Sequence, residues 1–423
     1  MNLKILSEPK FQIFKDENDF IFYNSVRHFS CRLSLLDLSI FNLIYSLKNL
    51  EDILVSIPQK YHEYVKSVFN AAISCRALDL SSSNSKKIEY NIPKTYYIHL
   101  TYKCNLDCIY CYNKKIRSDF SKETTLTDWK IILDKILPHA TNIVLTGGEP
   151  FLSKYINEII LYIKDYNSNI NIEIISNGMV DFRKNNNFDE VFTNITRITF
   201  SCDNLSNINQ PRIHFKPDLF KKNIHYLKCK YPNLPILVSS VYSCVNFQEL
   251  EKIKNFCNHV STEFKSVLIV PGNKDEINLL PPLEEFCSTL NKSIKKYPKK
   301  RMHCGAAIGV ISINPKGDVY PCQSLMNDEF FMGSLMTSSM DDIMQSKIFD
   351  LFRHEYCVDN IDTCKDCNVK YICAAGCRAA TINIEGSAKE CPKTLCRYYK
   401  EIALNKLRSI PPMDERNLIT QLK

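Results

Sequence analysis

The chain is 423 residues long, 45% hydrophobic and 24% charged, which excludes a disordered polymer and fits a globular protein of two or three domains. Its formal charge of +8 is spread along the length rather than gathered in one block, so charge alone gives no reason to expect a nucleic-acid partner. The first residues, Met1 to Glu8, reach an acid before any signal-like apolar run, and the most apolar stretch, Leu33 to Ile44, is broken by Asp37 and too short for a membrane span. A soluble cytoplasmic protein is expected, and its 19 cysteines then point to metal rather than to disulfides.

Taken in chain order, Phe11-Gln12-Ile13-Phe14 and Phe20-Ile21-Phe22-Tyr23 flank a polar run and predict a hairpin. Helical spacing takes over at Leu35, Leu38, Phe41 and Ile44, again at Leu50, Ile53 and Leu54, and again from Tyr61 to Ala77. The segment 81–88, Ser-Ser-Ser-Asn-Ser-Lys-Lys-Ile, reads as a polar linker. Residues 1–88 are therefore expected to form a winged-helix-like domain. A DNA-reading role is poorly supported, because Tyr61 to Ala77 offers only Lys66 and Arg76 as basic residues, beside Glu63.

From Tyr96 onward, strand, loop and helix repeat. Tyr96 to Leu100, Ile143 to Thr146, Ile172 to Ile175, Ile198 to Phe200, Ile236 to Val238 and Val267 to Val270 are short apolar runs suited to parallel strands buried on both faces. A helix opening at Thr127-Asp128-Trp129 lies between the first two. Six repeats over 89–298 predict an α/β fold, a partial (β/α)6 TIM-like barrel with functional loops at the carboxyl ends of its strands.

The first strand end carries Cys104-x3-Cys108-x2-Cys111. Three thiolates on one loop can hold three irons of a [4Fe–4S] cube and leave the fourth iron open to a ligand. A structural zinc site is the rival, yet it wants four ligands and usually pairs of cysteines.

With Tyr110 before its last cysteine, this motif resembles that of the radical S-adenosylmethionine (SAM) superfamily. The resemblance implies that Cys104, Cys108 and Cys111 are the catalytic cluster ligands, that SAM chelates the open iron, and that its reductive cleavage yields a 5′-deoxyadenosyl radical. It further implies SAM contacts at Tyr110, at Gly147-Gly148-Glu149-Pro150, at Ser176-Asn177, and at Ser201 and Asp203. Two glycines would let the backbone approach the ligand. Where the family usually has Ser-x-Asp-Gly, this chain ends on Asn204, a residue that also tolerates left-handed backbone. For Ser176, Ser201 and Asp203 taken singly, capping of a following helix is an equal reading, and Arg212 reads by default as a solvated surface residue.

Downstream, Cys304, Gly317-x4-Cys322, Cys364-x2-Cys367-x5-Cys373-x3-Cys377 and Cys391 resemble the seven-cysteine SPASM pattern, expected here over 299–400, with 401–423 as a tail. The run Gly317 to Cys322 reads as a hairpin presenting a thiolate, and a tandem zinc ribbon is the alternative. The resemblance implies two auxiliary [4Fe–4S] clusters, an outer one on Cys364, Cys367, Cys373 and Cys391 and an inner one on Cys304, Cys322 and Cys377. Val310 stands where some relatives place a further ligand, so Cys357, Cys396, another side chain or the substrate is left to close the inner cluster.

Relatives with this architecture include anaerobic sulfatase maturases and enzymes that tailor ribosomally made peptides. The former usually begin near their first cluster motif, whereas about ninety residues precede Cys104 here, and the hairpin-plus-helices unit resembles a PqqD-like leader-recognition element. A peptide-modifying oxidoreductase is therefore expected, with a leader-bearing precursor peptide and a flavodoxin- or ferredoxin-type electron donor as partners and no membrane partner. A sulfatase-type maturase is the alternative, and a zinc-stabilised DNA-binding regulator the remote one.

Overall fold

A computed structural model of the chain describes residues 11–16, 18–25, 29–74, 77–78, 91–114, 116, 124–184, 188–290 and 298–410. The expected linker at 81–88, and Cys75, lie outside the described residues.

The amino-terminal unit is a three-stranded antiparallel sheet, β1 (Phe11–Asp16), β2 (Asp19–Asn24) and β3 (Phe29–Leu33), in the order β1-β2-β3. It is followed by α1 (Leu35–Leu47), α2 (Leu50–Val55) and α3 (His62–Ser74). The expected hairpin and helices are present, and β3 is an addition. Ser34 starts α1 with a capping box to Asp37, satisfying donors that a helix start leaves open. Phe22, Phe29, Cys31, Leu33, Leu38, Phe41, Ile44 and Val65 form this unit's core.

The central element is one nine-stranded sheet. Its first part comprises β4 (Thr95–His99), β6 (Asn142–Thr146), β7 (Asn171–Ser176), β8 (Arg197–Ser201), β10 (Ile236–Tyr242) and β11 (Glu263–Leu268), all parallel and adjacent in that order. The six expected repeats are thus six neighbouring parallel strands. Helices α4 (Leu126–Ile136), α5 (Ile156–Tyr166), α6 (Asp189–Asn194), α7 (Pro217–Lys230) and α8 (Leu250–His259) alternate with them. Tyr96, Ile98, Ile143, Leu145, Ile172, Ile174, Ile198 and Phe200 pack with Trp129, Ile132 and Ile160 in the main core, as alternate residues along a strand must when helices cover one face. Helix α4 starts earlier than expected, capped by Thr125. Strand β11 departs further: it ends the sheet, and four of its six side chains are exposed, so it is not buried on both faces.

A two-residue ribbon joins β5 (Asp107–Cys108) to β9 (Arg212–Ile213), and α9 (Leu283–Thr289) follows β11. The sheet then continues past β4 through β12 (Val310–Ile313), β13 (Asp318–Tyr320) and β14 (Gly333–Ser334). The β12–β13 pair is the expected hairpin, turned at Gly317 with φ +83°. Helices α10 (Met340–Met344), α11 (Lys347–Asp350), α12 (Lys370–Cys373), α13 (Arg378–Glu385) and α14 (Lys393–Arg408) complete the chain's described part. Helix α14 runs unbroken through residue 401.

Candidate iron–sulfur and SAM site

The Cys104–Cys111 loop is held by the second parallel strand. Leaving β6, Gly148 N–H donates to the Thr101 carbonyl and Glu149 N–H to the Lys103 carbonyl, each at 2.8 Å. A Cβ on Gly147, whose φ is +134°, would stand 2.5 Å from the Thr101 oxygen, and one on Gly148 2.2 Å from the Lys103 oxygen. The two glycines therefore admit the backbone of 101–103, the segment that delivers Cys104, in addition to whatever ligand lies beyond it.

Glu149 is fully buried. Its Oε1 accepts from Ser176 Oγ at 2.9 Å and from Phe151 N–H at 3.3 Å, and its Oε2 from Asn177 N–H at 2.8 Å. Burial pushes its pKa up to about 7 against these three hydrogen bonds. Ser176 also accepts from Gly178 N–H at 3.0 Å. Glu149 and Ser176 thus tie the loops after β6 and β7 together, while the buried Pro150 opens a short 3-10 turn.

That tie aims Asn177. Its Nδ2 lies 3.7 Å from Cys104 Sγ and 2.7 Å from Asn105 Oδ1. From the other side Arg212 points its guanidinium at Cys108, with Nη1 3.9 Å from Sγ. The default reading of Arg212 as a solvated residue is overturned: its side chain is 12% exposed and its Nε is 2.6 Å from Oδ2 of the fully buried Asp203. The β5–β9 ribbon sets Arg212 opposite Cys108, a neighbourhood across more than a hundred residues that no local spacing encodes.

Asp203 is fully engaged. It accepts from Tyr110 Oη and Arg212 on one oxygen and from Val241 N–H at 2.6 Å on the other, and burial pushes its pKa up while Arg212 pulls it down. Ser201, at the end of β8, is half-buried. Asn204 is not left-handed; its Oδ1 accepts from Ser206 N–H at 2.7 Å and its Nδ2 donates to the Ile208 carbonyl at 2.9 Å, so side-chain turn bonds do the work expected of left-handed backbone. Burial raises the Cys108 thiol to about 11, with Arg212 acting in the opposite direction. A thiol so placed becomes a thiolate when a cation binds it, and donors directed at the sulfurs from Asn177 and Arg212 suit that state.

The auxiliary thiols fall into two groups. Cys304, Cys322 and Cys377 line a cavity of about 360 Å³ whose wall also carries Cys373, Arg301 and Lys406. Backbone N–H groups serve the sulfurs, from Ser324 and Leu325 to Cys322 and from Ala379 and Ala380 to Cys377. Cys364, Cys367, Cys373 and Cys391 form the second group, with Val369 N–H on Cys367 and Gly376 N–H on Cys373. Between Cys373 and Cys377 lie Ala374, Ala375 and Gly376, three consecutive left-handed residues with φ between +56° and +70°. Left-handed alanine costs about 1–2 kcal/mol per residue, so the surrounding structure must hold this turn in place.

Cys396, absent from the seven-cysteine reading, joins the second group by hydrogen bonding to Cys391, which lowers its pKa to about 6. Cys357 lies near Asp359 and Lys370 instead. Neither sits in the wall of the first group's cavity. Among the described residues no three His, Cys, Asp or Glu side chains close on one ion-sized point; the thiols ring a volume. Cavity, thiol count and sulfur-directed donors together fit iron–sulfur clusters.

Comparison with known proteins agrees. Residues 98–259 match the radical SAM superfamily and residues 304–368 an iron–sulfur cluster-binding domain, SPASM. The sporulation killing factor maturation protein SkfB of Bacillus subtilis is 24% identical over 207 residues, 48% of this chain; the chain spans about half (49%) of SkfB's length. Among solved structures, anSMEcpe with bound AdoMet superposes with a TM-score of 0.60 at 16% identity, covering 74% of this chain and 96% of that one. Streptococcus suis SuiB bound to precursor peptide SuiA superposes with a TM-score of 0.55 at 15% identity, covering 92% and 98%. The chain therefore carries a radical SAM domain at residues 98–259 and an iron–sulfur cluster-binding SPASM domain at residues 304–368, the domains of an enzyme that binds SAM and [4Fe–4S] clusters.

Proposed function

We propose that this enzyme modifies a ribosomally made precursor peptide, forming a thioether or carbon–carbon crosslink or a related product of hydrogen abstraction. The observation that carries the reading is the amino-terminal sheet and its three helices, set ahead of the radical SAM sheet. The fold match to SuiB, bound to its precursor peptide, extends over 92% of the chain, against 74% for anSMEcpe. That difference favours a leader-reading enzyme over a sulfatase-type maturase. SkfB, a maturation protein by name, supports the same class.

In this reading residues 1–88 are a PqqD-like element that takes an extended leader onto a free edge of the β1-β2-β3 sheet, 89–298 a partial barrel, and 299–400 the auxiliary-cluster domain. Cys104, Cys108 and Cys111 hold the radical cluster, and Asn177 and Arg212 donate toward its sulfurs. The backbone of Gly147 and Gly148, the ring of Tyr110, Ser201 and the paired Asp203 and Arg212 line the SAM side. Bound SAM supplies a carbon-centred radical. The protein's contribution is to set one substrate hydrogen against it and exclude competing reactions. A flavodoxin- or ferredoxin-type donor in the cytoplasm would deliver the electron; no helix among the described residues is long and apolar enough to cross a membrane.

The test is anaerobic reconstitution with SAM and dithionite. The parent protein forms 5′-deoxyadenosine, and a variant with Cys104, Cys108 and Cys111 all changed to Ala forms none. A short peptide encoded beside the gene should lose two hydrogen masses in the parent reaction; retained SAM cleavage in the triple variant, or a peptide never altered, would contradict the proposal.

A further inference from the structure

Strand β2 has two different neighbours. Phe22 turns toward the unit's own helices, its ring 5.3 Å from that of Phe41. The alternate residues, Ile21 at 0% exposure and Tyr23 at 1%, turn the other way, as the two-residue period of a strand requires. They enter a separate core with Val369 and Ile372, from the segment between Cys367 and Cys373, and with Ala403, Leu407 and Ile410 from α14 and the residues after it. Cys367 and Cys373 themselves pack against that core.

The contact is fastened at its edge. Arg32 of β3 donates from Nε to the Ile410 carbonyl at 3.1 Å and from Nη2 to the Arg408 carbonyl at 2.5 Å. The same guanidinium pairs with Asp16 at 2.8 Å and Asp19 at 3.4 Å, and Arg408 lies 3.9 Å from Asp16. A cation on the Arg408 carbonyl, the last of α14, and on that of Ile410 just beyond is placed where a helix end leaves acceptors unsatisfied and its dipole is negative. The first turn of that helix carries Cys396, two residues beyond its opening Lys393-Thr394. Both arms of the outer thiol group, α12 and α14, are therefore set against the amino-terminal sheet.

We propose that Ile21 and Tyr23 are positioning residues of the outer auxiliary cluster, so that the amino-terminal unit forms the dry wall of that site as well as a docking surface for peptide. The proposal rests on the reading of Cys364, Cys367 and Cys373 as outer-cluster ligands. The potential of an iron–sulfur cluster depends on solvent access and on hydrogen bonds to its sulfurs, and the apolar shell around a metal site controls both. A change in β2 reaches Cys367 and Cys373 through one shared core, while the Cys104–Cys111 loop packs in a different one.

The experiment uses the full-length, anaerobically reconstituted protein. Ile21→Ser and Tyr23→Ser should lose about four irons to a chelator, the content of one cubane, with reductive SAM cleavage retained. The milder Ile21→Val and Tyr23→Phe should keep the iron but shift the electron paramagnetic resonance and midpoint potential of one auxiliary cluster. Phe22→Leu, on the opposite face of the same strand, should leave that spectrum unchanged. If the serine variants do not fold, the mild pair against Phe22→Leu still decides. Equal perturbation by Phe22→Leu and Ile21→Val, or no spectral change in either mild variant, would overturn the proposal. A parent protein lacking a second auxiliary signal would instead overturn the ligand reading beneath it.

Discussion

The Cys104–Cys111 loop and the thiol groups after Cys304 are built in opposite ways. Cys104, Cys108 and Cys111 sit on one loop at the end of β4, and distant residues come to them: Gly148, Asn177 and Arg212 from three other strand ends or ribbons. The auxiliary thiols come from everywhere between Cys304 and Cys396, on a hairpin, two short helices, a left-handed turn and a long helix. A local motif specifies its ligands by spacing. A distributed one specifies them only through the fold, so its membership is decided by tertiary neighbours.

Gly148 is where the radical loop is most vulnerable, and a substitution there gives the largest effect expected from this comparison. Gly148→Ala puts a Cβ 2.2 Å from the Lys103 carbonyl oxygen, a backbone atom that cannot swing aside. Overpacking of this kind costs about 3 kcal/mol. The variant should unfold at lower denaturant concentration and fail to assemble the radical cluster while keeping its auxiliary irons. Normal stability and normal 5′-deoxyadenosine formation would show that the β6 exit does not hold the loop.

The auxiliary side is expected to be more forgiving. Five thiols, Cys364, Cys367, Cys373, Cys391 and Cys396, gather at the outer group, one more than a cubane takes. Cys391→Ala and Cys396→Ala should each retain the outer cluster, and the double variant should lose about four irons. Complete loss in one single variant would name that thiol as an obligatory ligand and remove the redundancy.

These outcomes track what could be read from the chain itself. The C-x3-C-x2-C loop, the six parallel strands and the hairpin before Cys322 were legible because each rests on spacing within a few residues. Arg212 was not, since its pairing with Asp203 and its approach to Cys108 depend on a ribbon between remote segments. Cys396 was legible as a cysteine but not as a member of the outer group. That membership shows only in its hydrogen bond to Cys391. Strand β3 and strand β12 are only five and four residues long, too short for their alternation to stand out from the sequence, and their partners mark them as strands. Asn204 kept the expected turn by a different device, side-chain hydrogen bonds instead of backbone handedness.

The smallest expected effect lies behind the radical loop. Glu149, with its pKa raised to about 7 by burial from an ordinary 4.5, binds its proton more tightly in the folded state than in the unfolded one. Its contribution to stability is therefore fully present below about pH 4.5 and is lost as pH rises through about 7. Glu149→Gln cannot ionise and should remove that decline, while losing an acceptor for Asn177 N–H at a cost of about 1–3 kcal/mol. Thermal unfolding of parent and variant should therefore converge as pH rises from 4.5 to 8. A stability difference independent of pH would mean that Glu149 does not titrate in this range.

The central claim is that one chain holds three iron–sulfur clusters, one of them catalytic. Iron, acid-labile sulfide and zinc counted on the anaerobically reconstituted parent and on the Cys104/Cys108/Cys111 triple alanine variant test it most directly. About twelve irons in the parent and about eight in the variant, as cubanes with no zinc, are predicted. A parent with only about four irons, or with stoichiometric zinc on the auxiliary thiols, would contradict it.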